Sequence, residues 1–454
     1  MRIENIRLNL TETLTTLIDL LRARIADESF LRRHRRDEKC FTRIRCLPFG
    51  VVMILLLQKT AKSIQRHLHE YLAGLGNWAG PPTVTAGAWT QARAKFRHSA
   101  FIELNEQCVL PTVYGDRGAL TLKRWQGYRV LGIDSSLIRL PNTAGLIQEF
   151  GQVATTNQHG VTGVSYPEGR MSVVYDVLNR VGVESRLVSS KKGEIELAIE
   201  QLSALEANDL AIVDRGYTGF GFLAQIRHRR AHFVARCSTA SFGPAQQMFK
   251  ANEAGVSRIV SLQACQEQRR EMKKLGLPTE LRVRFVSVRL STGELEVLVT
   301  SLCDERRYPT ESFGELYHQR WGIETYYLML KSRLDLENWT GETVEAVFQD
   351  FHASVLLANL ESLLSQPAQE GLEERRTPQV RAQQVNRSVS YHALKGKLFE
   401  LLQSEVPAEQ VVLELTELFA ASPVSRRPER KVPRRKLSFP RSLHFQRHKR
   451  KTVY

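Results

Sequence analysis

The chain has 454 residues, 42% hydrophobic and 25% charged, which suits a folded protein of about three structural units rather than one compact core. Its formal net charge of +16 points to a polyanionic partner. Six cysteines without a Cys-x-x-Cys pair argue against a zinc site or a disulfide framework, and together with an unbroken apolar run of only Leu47 to Leu57 they predict a cytoplasmic protein with no membrane role.

In chain order, residues 1–120 read as a helical N-terminal domain that binds DNA. Glu4, Glu12 and Asp19 sit among its first aliphatics, which is unlike a signal peptide. Stretches with i, i+3, i+4 periodicity flank the buried run, and "NWAGPP", Asn77 to Pro82, is the clearest break. After it, Thr83 or Thr85 caps a helix carrying Arg93, Lys95 and Arg97. A Gly/Pro turn before a basic helix outlines a helix-turn-helix reader, and a plain bundle with a solvated basic face is the equal alternative.

From Tyr128 the period changes. "YRVLGID" is a short apolar run ending in an acid, and "RMSVVYDVLN" and "GVESRLVSS" alternate as strands. "EIELAIEQLSAL" reads as a helix, "LAIVDR" as a buried strand with another terminal acid, "GFGFLAQIRHRR" as a helix and "HFVAR" as a strand. That order specifies an α/β fold with an RNase H-like core, residues 121–237, resuming at 304–366. Residues 238–303 form a β-rich insertion with a hairpin from Leu281 to Leu302 around the turn "STG". A linker, Pro367 to Pro378, opens a C-terminal helical region, 367–424.

Residues 425–454 hold twelve Lys or Arg and one acid, Glu429, and so supply +11 of the +16. With Pro428, Pro433 and Pro440 among them, they read as a disordered basic arm. Deleting it is expected to flatten the salt dependence of DNA binding through lost counterion release, measured by anisotropy across a salt series; an unchanged slope refutes the role.

The candidate chemistry lies in two places. Asp134 follows "VLGI" and Asp214 follows "LAIV", and sites in open α/β sheets form at the carboxyl ends of strands. Either acid alone is more often a turn or cap residue. Brought together the two repel, unless a cation such as Mg²⁺ or Mn²⁺ neutralises them, and a third acid would complete a site for two ions. "LYHQRWGIETYYLMLK", Leu316 to Lys331, offers that acid. On a helix its Tyr317, Arg320, Glu324 and Lys331 fall within about 60° of one another. A surface pair of Arg320 with Glu324 is worth only about 0.3–0.5 kcal/mol and leaves Lys331, roughly 10 Å further on, unexplained. A metal-bound carboxylate flanked by phosphate-holding cations and an aromatic explains all four. Trp321, Ile323, Tyr327, Leu328 and Leu330 are then left to anchor the helix.

Tyr, two residues, Arg, three residues, Glu, six residues, Lys is the signature of DDE transposases of the insertion sequence four class, and this chain resembles them at every spacing. "CFTRIRCLPFGVVMILLLQKTAKSIQRHL", "VTAGAWTQARAKF", "GIDSSLIRLP" and "VDRGYTGFGFLAQI" are similar to further blocks of the family, so the resemblance runs from about residue 28 to 404. It implies a metal-binding triad of Asp134, Asp214 and Glu324, separated by 214 − 134 = 80 and 324 − 214 = 110 residues. It also implies phosphate contacts by Arg320 and Lys331, and Tyr317 beside the cleaved strand. The implied activity is cutting at terminal inverted repeats and joining the 3′-OH ends to target DNA, by a homodimer in the synaptic complex. Some relatives hold a flipped base on a tryptophan of the insertion, and residues 238–315 contain none. A nuclease without strand transfer and a catalytically silent DNA-binding relative are the competing readings.

Overall fold

The computed structural model describes residues 2–43, 46–60, 63–74, 84–115, 122–156, 162–290, 293–376 and 381–426. The Asn77–Pro82 break, the end of the expected linker and all but two residues of the basic arm lie outside them. The chain divides into two units. One is drawn from residues 1–121, 138–168 and 329–454, the other from residues 122–137 and 169–328.

The first unit is helical apart from the short antiparallel pair of Gln383–Gln384 with Val424–Ser425 and from β2, Gln152–Thr156, which pairs antiparallel with the opening residues of β3, Thr162–Asp176. Its apolar run forms the helix Phe49–Gln58, buried from Phe49 to Leu57 as expected of a helix apolar on every side. The helix Val344–Leu364, capped by Thr343 on the Ala346 N–H, is also buried nearly throughout. Its polar residues are matched inside: the Asn359 amide donates to Asn105 Oδ1 at 2.7 Å, and Ser390 Oγ donates to Glu361 Oε1 at 2.5 Å. The expected linker begins instead as the helix Gln366–Glu374, because Pro367 falls in the first turn, where a missing N–H costs little.

Arg93 does not lie on a solvated basic face. It is buried, donating to Asp350 Oδ1 at 2.7 Å, to Gln349 Oε1 at 2.7 Å and to the Ala346 carbonyl at 2.8 Å. With Thr340 Oγ1 at 2.7 Å as a fourth acceptor, the guanidinium finds inside the unit the partners that a buried charge requires.

The second unit is built on a sheet whose strands run in the order β4–β3–β1–β5–β6–β9–β8–β7. These are β1, Arg129–Arg139; β4, Val181–Ser189; β5, Asp209–Val213; β6, His232–Arg236; β7, Ser257–Gln263; β8, Glu280–Arg289; and β9, Leu295–Thr300. Strands β1, β5 and β6 are parallel, and β5 is buried at every residue, which is why it reads as an unbroken apolar run. The helices Glu194–Gln201 and Phe220–His228 make the crossovers that parallel neighbours require. Three strands in antiparallel order feeding two parallel strands give the RNase H-like core that the alternation predicts. The hairpin of β8 and β9 continues that sheet, since β9 pairs antiparallel with β6 from Val234↔Thr300 to Arg236↔Leu298. Strand β7 escaped the sequence reading because it is an edge strand with little buried area and so carries a weak apolar signal.

Candidate active site

Strand β1 does not end at Asp134 but runs on to Arg139. What ends there is its neighbour: Ile133↔Val213 is the last pair between β1 and β5. Asp134 and Asp214 are therefore the next residues in register on strands about 4.8 Å apart, and they leave the sheet on the same face at its carboxyl edge. Asp134 Oδ1 accepts the Ser135 N–H at 2.8 Å. Asp214 Oδ1 accepts the Arg215 N–H at 2.7 Å, so this acid also caps the turn Arg215–Tyr217.

The stretch holding the third acid is two helices, Ser312–His318 and Trp321–Ser332, rather than one. Between them the backbone closes i to i+3 bonds, from the Arg320 N–H to Tyr317 at 3.0 Å and from the Ile323 N–H to Arg320 at 3.1 Å. This tighter winding breaks the predicted stripe: Tyr317 ends one helix, Arg320 sits in the junction, and Glu324 opens the next. Gly132 and Gly322 let the second helix close on β1. A Cβ on Gly132 would stand 3.2 Å from Val177 Cγ1 and 3.5 Å from Ile323 Cβ. Of the expected anchors, Ile323, Tyr327 and Leu330 are buried, whereas Trp321 and Leu328 are 44% and 64% exposed.

Arg320 joins the elements. Its Nη2 lies 2.7 Å from Glu324 Oε1 and its Nη1 3.9 Å from Asp134 Oδ2, and the residue is only 4% exposed. Burial opposes the guanidinium charge, but Tyr317, Glu324 and Asp214 around it hold its pKa above the ordinary value. Among the described residues its buried Nε has no hydrogen-bond partner. Tyr317 is buried as well, and its hydroxyl donates to the Val213 carbonyl at 3.4 Å, one residue before Asp214. Lys331 belongs to the first unit, where burial lowers its pKa and Glu337 and Glu168 oppose that shift.

Burial pushes the Asp134 carboxyl up to about 6; the Ser135 N–H and Arg320 pull it down, and Glu194 and Glu324 add to the rise. Glu194 was not singled out from the sequence, because an acid in the first turn of a helix reads as a partner of the helix dipole. Here it accepts from Ser135 Oγ at 2.5 Å and from Arg170 Nη1 at 2.6 Å. Tyr327 was read only as an anchor, yet its hydroxyl donates to the Asp134 carbonyl at 2.6 Å and accepts the Val173 N–H at 2.9 Å. Tyr327→Phe leaves the Val173 N–H without this acceptor and the Asp134 carbonyl with the Ser172 hydroxyl at 3.2 Å, and a stability loss of about 1–3 kcal/mol is expected in urea denaturation. A loss under about 0.5 kcal/mol would show that the hydroxyl does not hold Asp134.

Among the described residues no three His, Cys, Asp or Glu side chains stand as a group around one ion. The donor set still suits a hard cation, being all carboxylate oxygen, and Asp134 is an acid whose charge burial disfavours. Arg320 supplies the positive charge between Asp134 and Glu324 that such an ion would otherwise provide.

Residues 125–360 match the family model described as "Transposase DDE domain". The InsG transposase of insertion sequence element IS4, from Escherichia coli, is 26% identical over 244 residues, 52% of this chain and 52% of its own length. A protein of Sinorhizobium fredii is 24% identical over 228 residues, 49% of this chain and 57% of its own. The chain thus spans about half the length of these relatives. A solved synaptic complex of the piggyBac transposase with hairpin DNA aligns with 91% of this chain and 85% of its own, at 11% identity and a TM-score of 0.41.

Proposed function

The chain belongs to the DDE transposase family, in its insertion sequence four branch, and on that premise we propose that it is a DNA transposase of a bacterial insertion sequence. In this reading it cuts at terminal inverted repeats and joins the freed 3′-OH ends to target DNA, acting as a homodimer in the synaptic complex. The observation that supports the reading is Arg320, 2.7 Å from Glu324 and 3.9 Å from Asp134, with Asp214 the next residue in register beside Asp134.

Asp134, Asp214 and Glu324 would hold Mg²⁺ or Mn²⁺, two ions in this reading, which supply charge stabilisation for in-line displacement at a phosphodiester. Arg320, once turned from Glu324, carries a planar fork suited to a phosphate, and Lys331 would hold a second phosphate as a point charge. Tyr317 positions Asp214 through the Val213 carbonyl. Its hydroxyl is buried and its pKa is raised by that burial, so it is poorly suited to be a nucleophile, and no covalent protein–DNA intermediate enters. No helix among the described residues is long and apolar enough to cross a membrane.

Terminal-repeat DNA incubated with the protein and Mg²⁺ is expected to yield cleaved and joined products. Cleavage that never gives joined products would reduce the activity to that of a nuclease. Mg²⁺ is also expected to raise the melting temperature of the wild type and not of Asp214→Asn; equal shifts would remove the metal assignment.

A further inference from the structure

We propose that the sheet edge opposite the carboxylates is a second DNA-contacting surface, holding the sugar–phosphate backbone of a segment that is not being cut. The proposal rests on the reading above that the substrate is DNA.

Topology assembles this edge. The parallel strands β1, β5 and β6 begin there, and β9, antiparallel to β6, ends there. Residues 122–128, 229–231 and 303–308 are thereby gathered from three parts of the chain. Their contacts confirm the gathering. Arg307 Nη2 donates to the Gln126 carbonyl at 3.3 Å, and its guanidinium lies 5.2 Å from the Tyr308 ring and 5.8 Å from the Tyr128 ring. The Tyr128 and Tyr308 hydroxyls are 2.7 Å apart, and Tyr128 meets His232 edge-on at 5.1 Å. The half-buried Trp125 stacks on Tyr308 at 5.8 Å.

On this aromatic floor Lys123, Arg124, Arg229, Arg230, Arg306 and Arg307 are exposed. None of them forms an ion pair with a carboxylate among the described residues. Of the acids nearby, Glu305 accepts from Ser257, Glu206 lies 3.7 Å from buried Arg129, and Asp304, which accepts the Arg306 and Arg307 N–H groups at 3.0 Å each, offsets only part of the charge of the six cations. Arg229 and Arg230 alone would be explained by the helix end they follow. The other four cations follow no described helix, and an excess of positive charge drawn from three segments fits an extended polyanion. An acidic protein would need an apolar centre to its interface, and none of the exposed large hydrophobic residues falls in these segments.

The five steps from Arg129 to Asp134 cover roughly 16 Å at about 3.3 Å each, on the order of the width of a duplex. DNA on this edge is therefore either the flank of the cut duplex or another duplex.

The test replaces Lys123, Arg124, Arg229 and Arg306 by Gln. It spares Arg307, which stacks on the tyrosines, and Arg230, whose backbone is left-handed at φ 61°. Salt titrations of affinity use a terminal-repeat duplex of about 15 base pairs, one extended by a flank of about 25, and a non-specific duplex added to the short complex. The proposal expects the salt slope to fall by about 3–4 in the second or third arm, which identifies the source, and to stay unchanged in the first together with cleavage of the short duplex. An unchanged slope in all three arms, or an equal fall in the first, overturns it. If the fourfold variant melts early, Lys123→Gln/Arg124→Gln is used with half the expected change. A wild type with no salt-dependent affinity in any arm would instead defeat the transposase reading itself.

Discussion

Asp134→Asn is expected to lower strand cleavage about a thousandfold or more, a loss of roughly 4 kcal/mol of transition-state stabilisation, with DNA affinity within about twofold of wild type. The substitution keeps the size of the side chain and an oxygen for the Ser135 N–H. The contact from Tyr327 is to the backbone carbonyl and is not altered. What disappears is the carboxylate 3.9 Å from Arg320, and with it a proposed ligand for the cation that would offset charge on the phosphate. Formation of the 3′-OH on labelled terminal-repeat DNA measures the effect. Unchanged cleavage would show that the carboxylate assignment is wrong, and an equal fall in affinity would make Asp134 a binding residue.

Asp350→Ala is expected to destabilise the protein by about 3–5 kcal/mol, because it leaves two cations buried without their counter-charge. Asp350 has no exposed surface; Arg93 Nη2 lies 2.7 Å from one of its oxygens, Lys59 Nζ 3.8 Å from the other, and the Thr340 N–H donates to it at 2.7 Å. Burial by itself would raise this carboxyl, but the two cations and Thr340 hold its pKa below the ordinary carboxylate value. A depressed folded pKa contributes stability that is complete above the unfolded value of 3.8 and is lost as the pH falls through the folded one. Wild type and variant are therefore expected to differ most at neutral pH and to converge in acid, followed by urea denaturation at several pH values. A difference that persists below the folded pKa would assign the effect to packing rather than to charge.

These two aspartates also mark how far sequence reasoning reached. Asp134 and Asp214 stood out because each follows a short apolar run, and the register of β1 with β5 places them side by side. Glu324 stood out through its spacing from Arg320 and Lys331. Asp350 gave no such sign, since an acid within an apolar helix has no pattern of its own. Its partner Arg93 lies 257 residues away, on a helix whose basic residues suggest a DNA reader or a solvated face rather than a buried pair. Tyr327 and Glu194 were legible only as an anchor and a helix-start acid, and their bonds to Asp134 and Ser135 come from elements distant in the chain.

By itself the sequence determined most of the core elements and their order, the acids that follow β5 and the apolar run of β1, and the family resemblance, because periodicity and spacing are recorded along the chain by local geometry. Only the tertiary structure decided that the residue 281–302 hairpin continues the central sheet, that the expected single stripe breaks at Arg320, and that this guanidinium is buried between Glu324 and Asp134. The reason is electrostatic and steric: a buried charge settles where distant segments bring it a partner, and a short stretch of chain carries no record of which segments those are.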